Sequence, residues 1–282
     1  RRRGLKILIA VLLIGSGRFE QMVRRWRRPA TSRRSRVWMI AGLVGLVVVT
    51  AWSGIYYAAF TLILGAAALV WRFAHRASWR ALLVDALPFL GVIVLAVAGA
   101  LPSVLAIRAD PPLAILSERL PYESVIFAGY LAVALLPIPQ SSLPGFDIYN
   151  RSVSEAIAAG GWVESAAATN HGTWVTTAAL LVIVVALITR TRNPQPGINP
   201  QQRLVSLSFI VYLILVTVLW FIPWGLNYLF AGTITAQIRA WNRLTPYLLL
   251  LFLLGAAAVF ARLRIAQVRR WSIPLAAIIL AL

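Results

Sequence analysis

No cysteine occurs in the 282 residues, which excludes disulfide bridges, thiolate metal sites and thiol nucleophiles. Charge is scarce too. Only 12% of residues are charged and 60% are hydrophobic, whereas a soluble domain carries about a quarter of its residues charged. Too little polar matter remains to coat a water-soluble body, so the chain reads as an integral membrane protein. Acids number eight and lysine one, against 26 arginines, for a formal charge of +19. In a soluble protein that excess points to nucleic acid, but no reading surface is evident. In a membrane protein it points first to cytoplasmic loops that face anionic lipid. Also missing are a phosphate-binding loop, a nucleophile elbow and any charge expected inside a span, which argues against an ATPase, a hydrolase or an ion-coupled carrier. The opening on Arg1 without Met, and the end at Leu282 inside an apolar run, read as a fragment of a longer protein.

What is present is a series of apolar runs: Val37–Val70, Ala86–Ile107, Val125–Pro139, Thr173–Thr189, Val205–Trp224, Pro246–Ala261 and Ile273–Leu282. A crossing helix needs about 20 residues to span about 30 Å of hydrocarbon, so the first run is too long for one crossing. Arginines flank it on both sides (Arg33, Arg34 and Arg36, then Arg72 and Arg76), and Ser53-Gly54 lies near its middle. These features predict a hairpin of two short helices, with Trp52, Tyr56 and Tyr57 at the far interface.

The run Val125–Pro139 decides the topology of everything after it. If it does not cross, 18 arginines fall inside and five outside: Arg108, Arg119, Arg151, Arg239 and Arg243. If it crosses, the division becomes 14 against nine. Arginine bias therefore favours the non-crossing arrangement, as do its 15-residue length and its Pro137-Ile138-Pro139 ending, which suit a re-entrant element. Asp110, Glu118, Glu123, Asp147, Glu155 and Glu164 then all fall outside, leaving Glu20 and Asp85 within. The expected fold is all-α, a polytopic transmembrane helix bundle with outer interfacial and re-entrant helices. Residues 1–36 form a basic cytoplasmic or interfacial segment, in which Leu5–Gly17 is too short to cross and Arg18–Arg36 suits anionic membrane lipids. Residues 37–107 hold three transmembrane helices and residues 108–172 an outer loop with the re-entrant helix. Residues 173–282 hold further crossings, a linker at Asn193–Gln202 and an outer interfacial helix over 225–245.

Chemistry concentrates on the outer face. In Ile234–Thr245, helical spacing puts Thr235, Arg239, Asn242 and Arg243 on one stripe and Ile234, Ile238 and Trp241 on the other. Two arginines that break the orientation rule either bind an anion, for which phosphate suits the forked guanidinium, or snorkel and pair with outer acids such as Glu123 or Glu164. Arg119-Leu-Pro-Tyr-Glu123 places an acid at the start of the re-entrant run. There it is either a helix cap or, with a pKa raised by partial dehydration, a general base or metal ligand. Asp110, before Pro111-Pro112, reads as a turn residue and Glu118 as a solvated one. Asp147 and Glu164 are second-rank candidates. His171 and His75 have no partner at metal-ligand spacing.

Gly54-Ile-Tyr-Tyr-Ala-Ala-Phe60, Arg119-x-Pro-x-Glu123, Leu135-Leu-Pro-Ile-Pro139 and Gln237-Ile-Arg-Ala-Trp-Asn-Arg243, in this order, resemble a group of bacterial polytopic sugar-translocase or phosphoglycerol-transferase-like proteins, similar to the GT-C membrane glycosyltransferases. The resemblance spans about Trp38 to Phe260. Members often carry Tyr at the position of Trp241, and His-Arg where this chain has Gln140-Ser141. The resemblance implies a multi-pass protein of the bacterial cytoplasmic membrane that uses a polyprenyl-phosphate-linked sugar on the outer face for cell-envelope glycans. It further implies that Arg239, Arg243, Asn242 and Arg119 hold the lipid-linked donor, and that Glu123 positions the acceptor hydroxyl or a divalent metal. The usual catalytic carboxylate of such enzymes lies in a first outer loop that precedes this segment. A flippase or transporter, and a non-catalytic scaffold, are the alternatives.

Overall fold

The long first run divides at Ser53-Gly54, into α1 (Arg33–Trp52) and α2 (Ile55–Ala74). Gly54 has φ of 123°, a conformation that residues with a Cβ rarely adopt, so glycine is what lets the chain reverse there. The computed structural model describes residues 33–109, 119–135, 155, 159, 174–190 and 207–260. Its remaining helices are α3 (Trp79–Ala109), α4 (Glu123–Ile126), α5 (Leu131–Leu135), α6 (Trp174–Arg190), α7 (Leu207–Phe221), α8 (Leu226–Thr233), a 3-10 helix (Trp241–Leu244) and α9 (Thr245–Phe260). No strand occurs among the described residues. Leu5–Gly17, the polybasic stretch before Arg33, Asp110, Glu118, Pro137–Pro139, Asp147, Glu164, His171, Asn193–Gln202 and Ile273–Leu282 lie outside them.

Among the described residues, three helices are long and apolar enough to cross a membrane: Ile55–Ala74, Trp79–Ala109 and Trp241–Phe260, the last made of the 3-10 turn and α9 together. α7 and α8 make a fourth as a pair bent by 57°. In α1 the apolar part is Ile40–Trp52, because the helix continues backwards through Arg33, Arg34 and Arg36. The run Val125–Pro139 forms no long helix over its described part, only the end of α4 and the five residues of α5.

α1, α2 and α3 pack on one another, α6 and α7 pack on α9, and α2 against α7 joins the two groups. The seam is filled by Phe60, Leu64 and Ala68 of α2, Phe209, Ile210 and Leu213 of α7, and Leu248, Leu251 and Phe252 of α9. Between apolar helices in lipid, association depends on close packing more than on escape from water, which favours small residues at crossings. Gly255 of α9 shows why: a Cβ there would overlap the Ile183 side chain of α6. α3 leaves Leu83, Leu87, Leu90, Val94, Val97 and Leu101 exposed, a surface suited to acyl chains.

One charge is buried within an apolar helix, against expectation. Asp85, in the second turn of α3, is completely buried, and its Oδ2 lies 3.0 Å from Nη2 of Arg72 in the last turn of α2. The two helices run antiparallel across a four-residue link, which brings both residues level. Their mutual attraction offsets the desolvation of each charge, which neither could bear singly. At the same end, Trp71 stacks on His75 at 4.2 Å and meets Phe209 and Tyr212 of α7. The His75 Nδ1–H donates to the Trp71 carbonyl at 2.8 Å, closing the last turn of α2.

Replacing Asp85 alone by Leu removes the carboxylate that faces a mostly buried guanidinium, and is expected to cost about 3 to 5 kcal/mol. The double substitution Arg72→Met/Asp85→Leu is expected to be neutral or stabilising by about 1 to 4 kcal/mol. Thermal midpoints of the purified variants in one detergent check both.

Candidate anion-binding site

The site begins where α7 stops. Pro223 cannot continue a helix, and the turn Ile222–Gly225 carries Trp224 at φ 59°, in the left-handed region. Breaking the helix frees the Phe221 carbonyl, which accepts the Gly129 N–H at 2.7 Å. The approach requires glycine, because a Cβ at position 129 would overlap the Phe221 ring. Asn227, fully buried in α8, donates from Nδ2 to the carbonyls of Ile222 (3.1 Å) and Ser124 (3.4 Å). The Asn242 N–H donates to the Phe127 carbonyl at 3.0 Å. The segment Leu120–Leu135 is thus tied to both sides of the break.

The single helix expected over Ile234–Thr245 is not formed. α8 ends at Thr233, residues 234–240 are irregular, and Trp241–Leu244 is a 3-10 turn that leads into α9. The cause is Trp241, fully buried among the rings of Phe60, Trp220 and Phe230 at 5.7, 5.1 and 5.9 Å. Seating that indole sets the rotation of the segment and carries Asn242 inward with it, to 5% exposure. Asn242 therefore leaves the outer stripe, and its carbonyl accepts the Thr245 hydroxyl at 2.6 Å.

Arg239 and Arg243 do reach the surface at the same end, by different supports. Arg239 donates from Nη1 to Glu123 Oε2, with side chains 35% and 20% exposed, and its guanidinium lies 4.9 Å from the centre of the Phe127 ring. Glu123 also accepts the Leu120 N–H at 3.3 Å, a bond back across the turn that precedes α4. Arg243 is exposed and lies over the Tyr56 ring at 4.6 Å, meeting no carboxylate among the described residues. Tyr56 also favours the charged form of Arg239 through its hydroxyl. Arg119 contributes positive charge beside Glu123.

The raised pKa anticipated for Glu123 is not found. Burial pushes it up, but the Arg239 hydrogen bond, the Leu120 N–H and the charges of Arg239 and Arg119 outweigh burial and hold it below its ordinary 4.5. The same hydrogen bond, working against burial, raises Arg239 further above the ordinary guanidinium range. Both groups are ionised at neutral pH, so Glu123 in this state is a charge partner and not a base. Among the described residues no three metal-ligating side chains come together.

Glu123 and Arg239 therefore meet at one end of the bundle, and the described part of the run Val125–Pro139 between them holds only short helical pieces. No family model, characterised protein or solved structure matches this chain. The supporting rings of Tyr56 and Phe127 were not foreseen. The available signal was topological, since Tyr56 follows the hairpin turn assigned to the same face as Glu123 and Arg243.

Because the folded pKa of Glu123 is depressed, the pair contributes stability that is complete above about pH 4.5 and is lost as pH falls through the lower folded value. The contribution of a pair this exposed is at most about 1 kcal/mol. The thermal midpoint is expected to fall further for the unaltered chain than for Glu123→Gln as pH drops from about 6 to about 3.

Proposed function

We propose that the chain is a polytopic bundle of the bacterial cytoplasmic membrane that binds the phosphate of a lipid-linked sugar at its outer end and acts in glycosyl transfer for cell-envelope glycans. The carrying observation is the convergence of Arg239 and Arg243 on Tyr56, with Arg239 paired to Glu123 and Arg243 supported by the ring and facing no acid among the described residues. Two guanidinium groups at an apolar boundary would stabilise charge that develops on a departing lipid phosphate, where little water screens it. Leu229 and Ile234, exposed on the approach to Arg239, would lie beside the lipid chain. The resemblance to GT-C transferases supports the same reading. Arg239→Gln and Arg243→Gln in the full chain are each expected to reduce transfer about 100-fold or more, while lowering the thermal midpoint by no more than the loss of one exposed ion pair, at most about 1 kcal/mol. Unchanged transfer would remove the assigned role.

A carrier of lipid-linked or free sugars is the second reading, favoured by the buried Arg72–Asp85 pair at the opposite end, since ionisable pairs within apolar helices often mark transport paths. Because the chain has no cysteine, Arg239→Cys gives a single labelling position. Modification from the outer side alone is expected for a transferase, whereas modification from the cytoplasmic side as well would favour the carrier.

A further inference from the structure

Two rings of α2 grip the segment that carries both arginines. Tyr56 and Phe60 stand four residues apart on α2, and so one turn apart on one face, with ring centres separated by 6.3 Å. Phe60 packs at 5.7 Å on the buried Trp241, and the Tyr56 ring lies beneath Arg243 at 4.6 Å. The segment is therefore held twice from the same helix, once through its buried anchor and once at the surface, through a residue that the phosphate reading needs. The other aromatics of the hairpin turn are engaged elsewhere: Tyr57 meets Tyr247 at 6.5 Å, and Trp52 is exposed. Tyr56 also reaches Arg239, whose charged form its hydroxyl favours through a hydrogen bond. One side chain thus serves both arginines, the ring taking one and the hydroxyl the other.

We propose that Tyr56 is a positioning residue of the anion site, whose ring fixes the Arg243 guanidinium beside that of Arg239 so that one phosphate bridges the two. This rests on the phosphate reading above and adds to it the residue that brings the arginines together. The kind of support matters. A carboxylate under a guanidinium takes some of its five N–H donors and offsets its charge, whereas a ring attracts the cation through its π-face and uses none of the donors. A long side chain that must be ordered at the moment of binding weakens the ligand by the cost of that ordering. The ring orders Arg243 beforehand and leaves its fork for the anion. The hydroxyl contributes less, because Glu123 already holds Arg239.

The test measures the affinity of the full chain, in an uncharged detergent, for dodecyl phosphate and for inorganic phosphate. Tyr56→Leu removes ring and hydroxyl, and Tyr56→Phe the hydroxyl alone; Tyr56→Met replaces Tyr56→Leu if the latter does not hold the thermal midpoint. Tyr56→Leu is expected to weaken dodecyl phosphate about threefold to tenfold, the range that a ring-supported cation carries. Tyr56→Phe, which keeps the ring, is expected to recover most of that loss. Arg243→Gln alone is expected to weaken the probe at least about tenfold. The readout that a merely structural role would not move is the double-variant cycle. With Arg243→Gln the ring has nothing left to position, so adding Tyr56→Leu is expected to weaken binding no further, whereas with Arg239→Gln its effect is expected to persist. Additive losses with Arg243→Gln, unchanged affinity in Tyr56→Leu, or no recovery in Tyr56→Phe overturns the positioning role and leaves the phosphate reading standing. No binding of dodecyl phosphate by the unaltered chain overturns both, and inorganic phosphate binding as tightly overturns the lipid-linked source.

Discussion

A backbone that leaves the helix in apolar surroundings must find a partner for each N–H and C=O, and much of this structure follows from how that is done at one end. The break after Phe221 and the loop after α4 solve the problem for one another. A carbonyl freed by the ending of α7 takes the amide of Gly129, the side chain of Asn227 takes carbonyls from both segments, and the amide of Asn242 takes the carbonyl of Phe127. Neither segment could be irregular there alone. Because these bonds hold the loop in place, Glu123 arrives beside Arg239 and Phe127 beneath it.

The opposite end obeys the same economy with charge in place of backbone. Asp85 and Arg72 are tolerable together because a short link between antiparallel helices brings them level, while Trp71, His75, Phe209 and Tyr212 close round the junction. Among the described residues the chain thus shows one buried ion pair and one partly exposed pair, and the two differ in how far solvent reaches them.

Much of the frame was legible in the sequence. Arginines on both sides of an overlong apolar run, with Ser53-Gly54 between, implied the helical hairpin that forms there. That expectation rests on a rule that acts on whole segments. What was not legible depended on one side chain choosing one neighbour. The 3.6-residue pattern over Ile234–Thr245 is real, but seating the Trp241 indole among three rings outweighs it and turns Asn242 inward. Asp85 looked like an ordinary cytoplasmic-end acid, because its partner lies on another helix. Glu123 reads from the sequence as a partner for the outer arginines, but local spacing cannot reveal which arginine takes it or that the contact lowers its pKa.

Tyr56 belongs to the first helical group and Arg243 to the second, with α2 against α7 as the seam between them. During synthesis Tyr56 is made long before Arg243, and the ring waits for its cation until α9 has been inserted and the groups have closed. The support beneath Arg243 therefore cannot exist on a half-made chain. A partly inserted protein would carry the arginine without the ring that fixes its place.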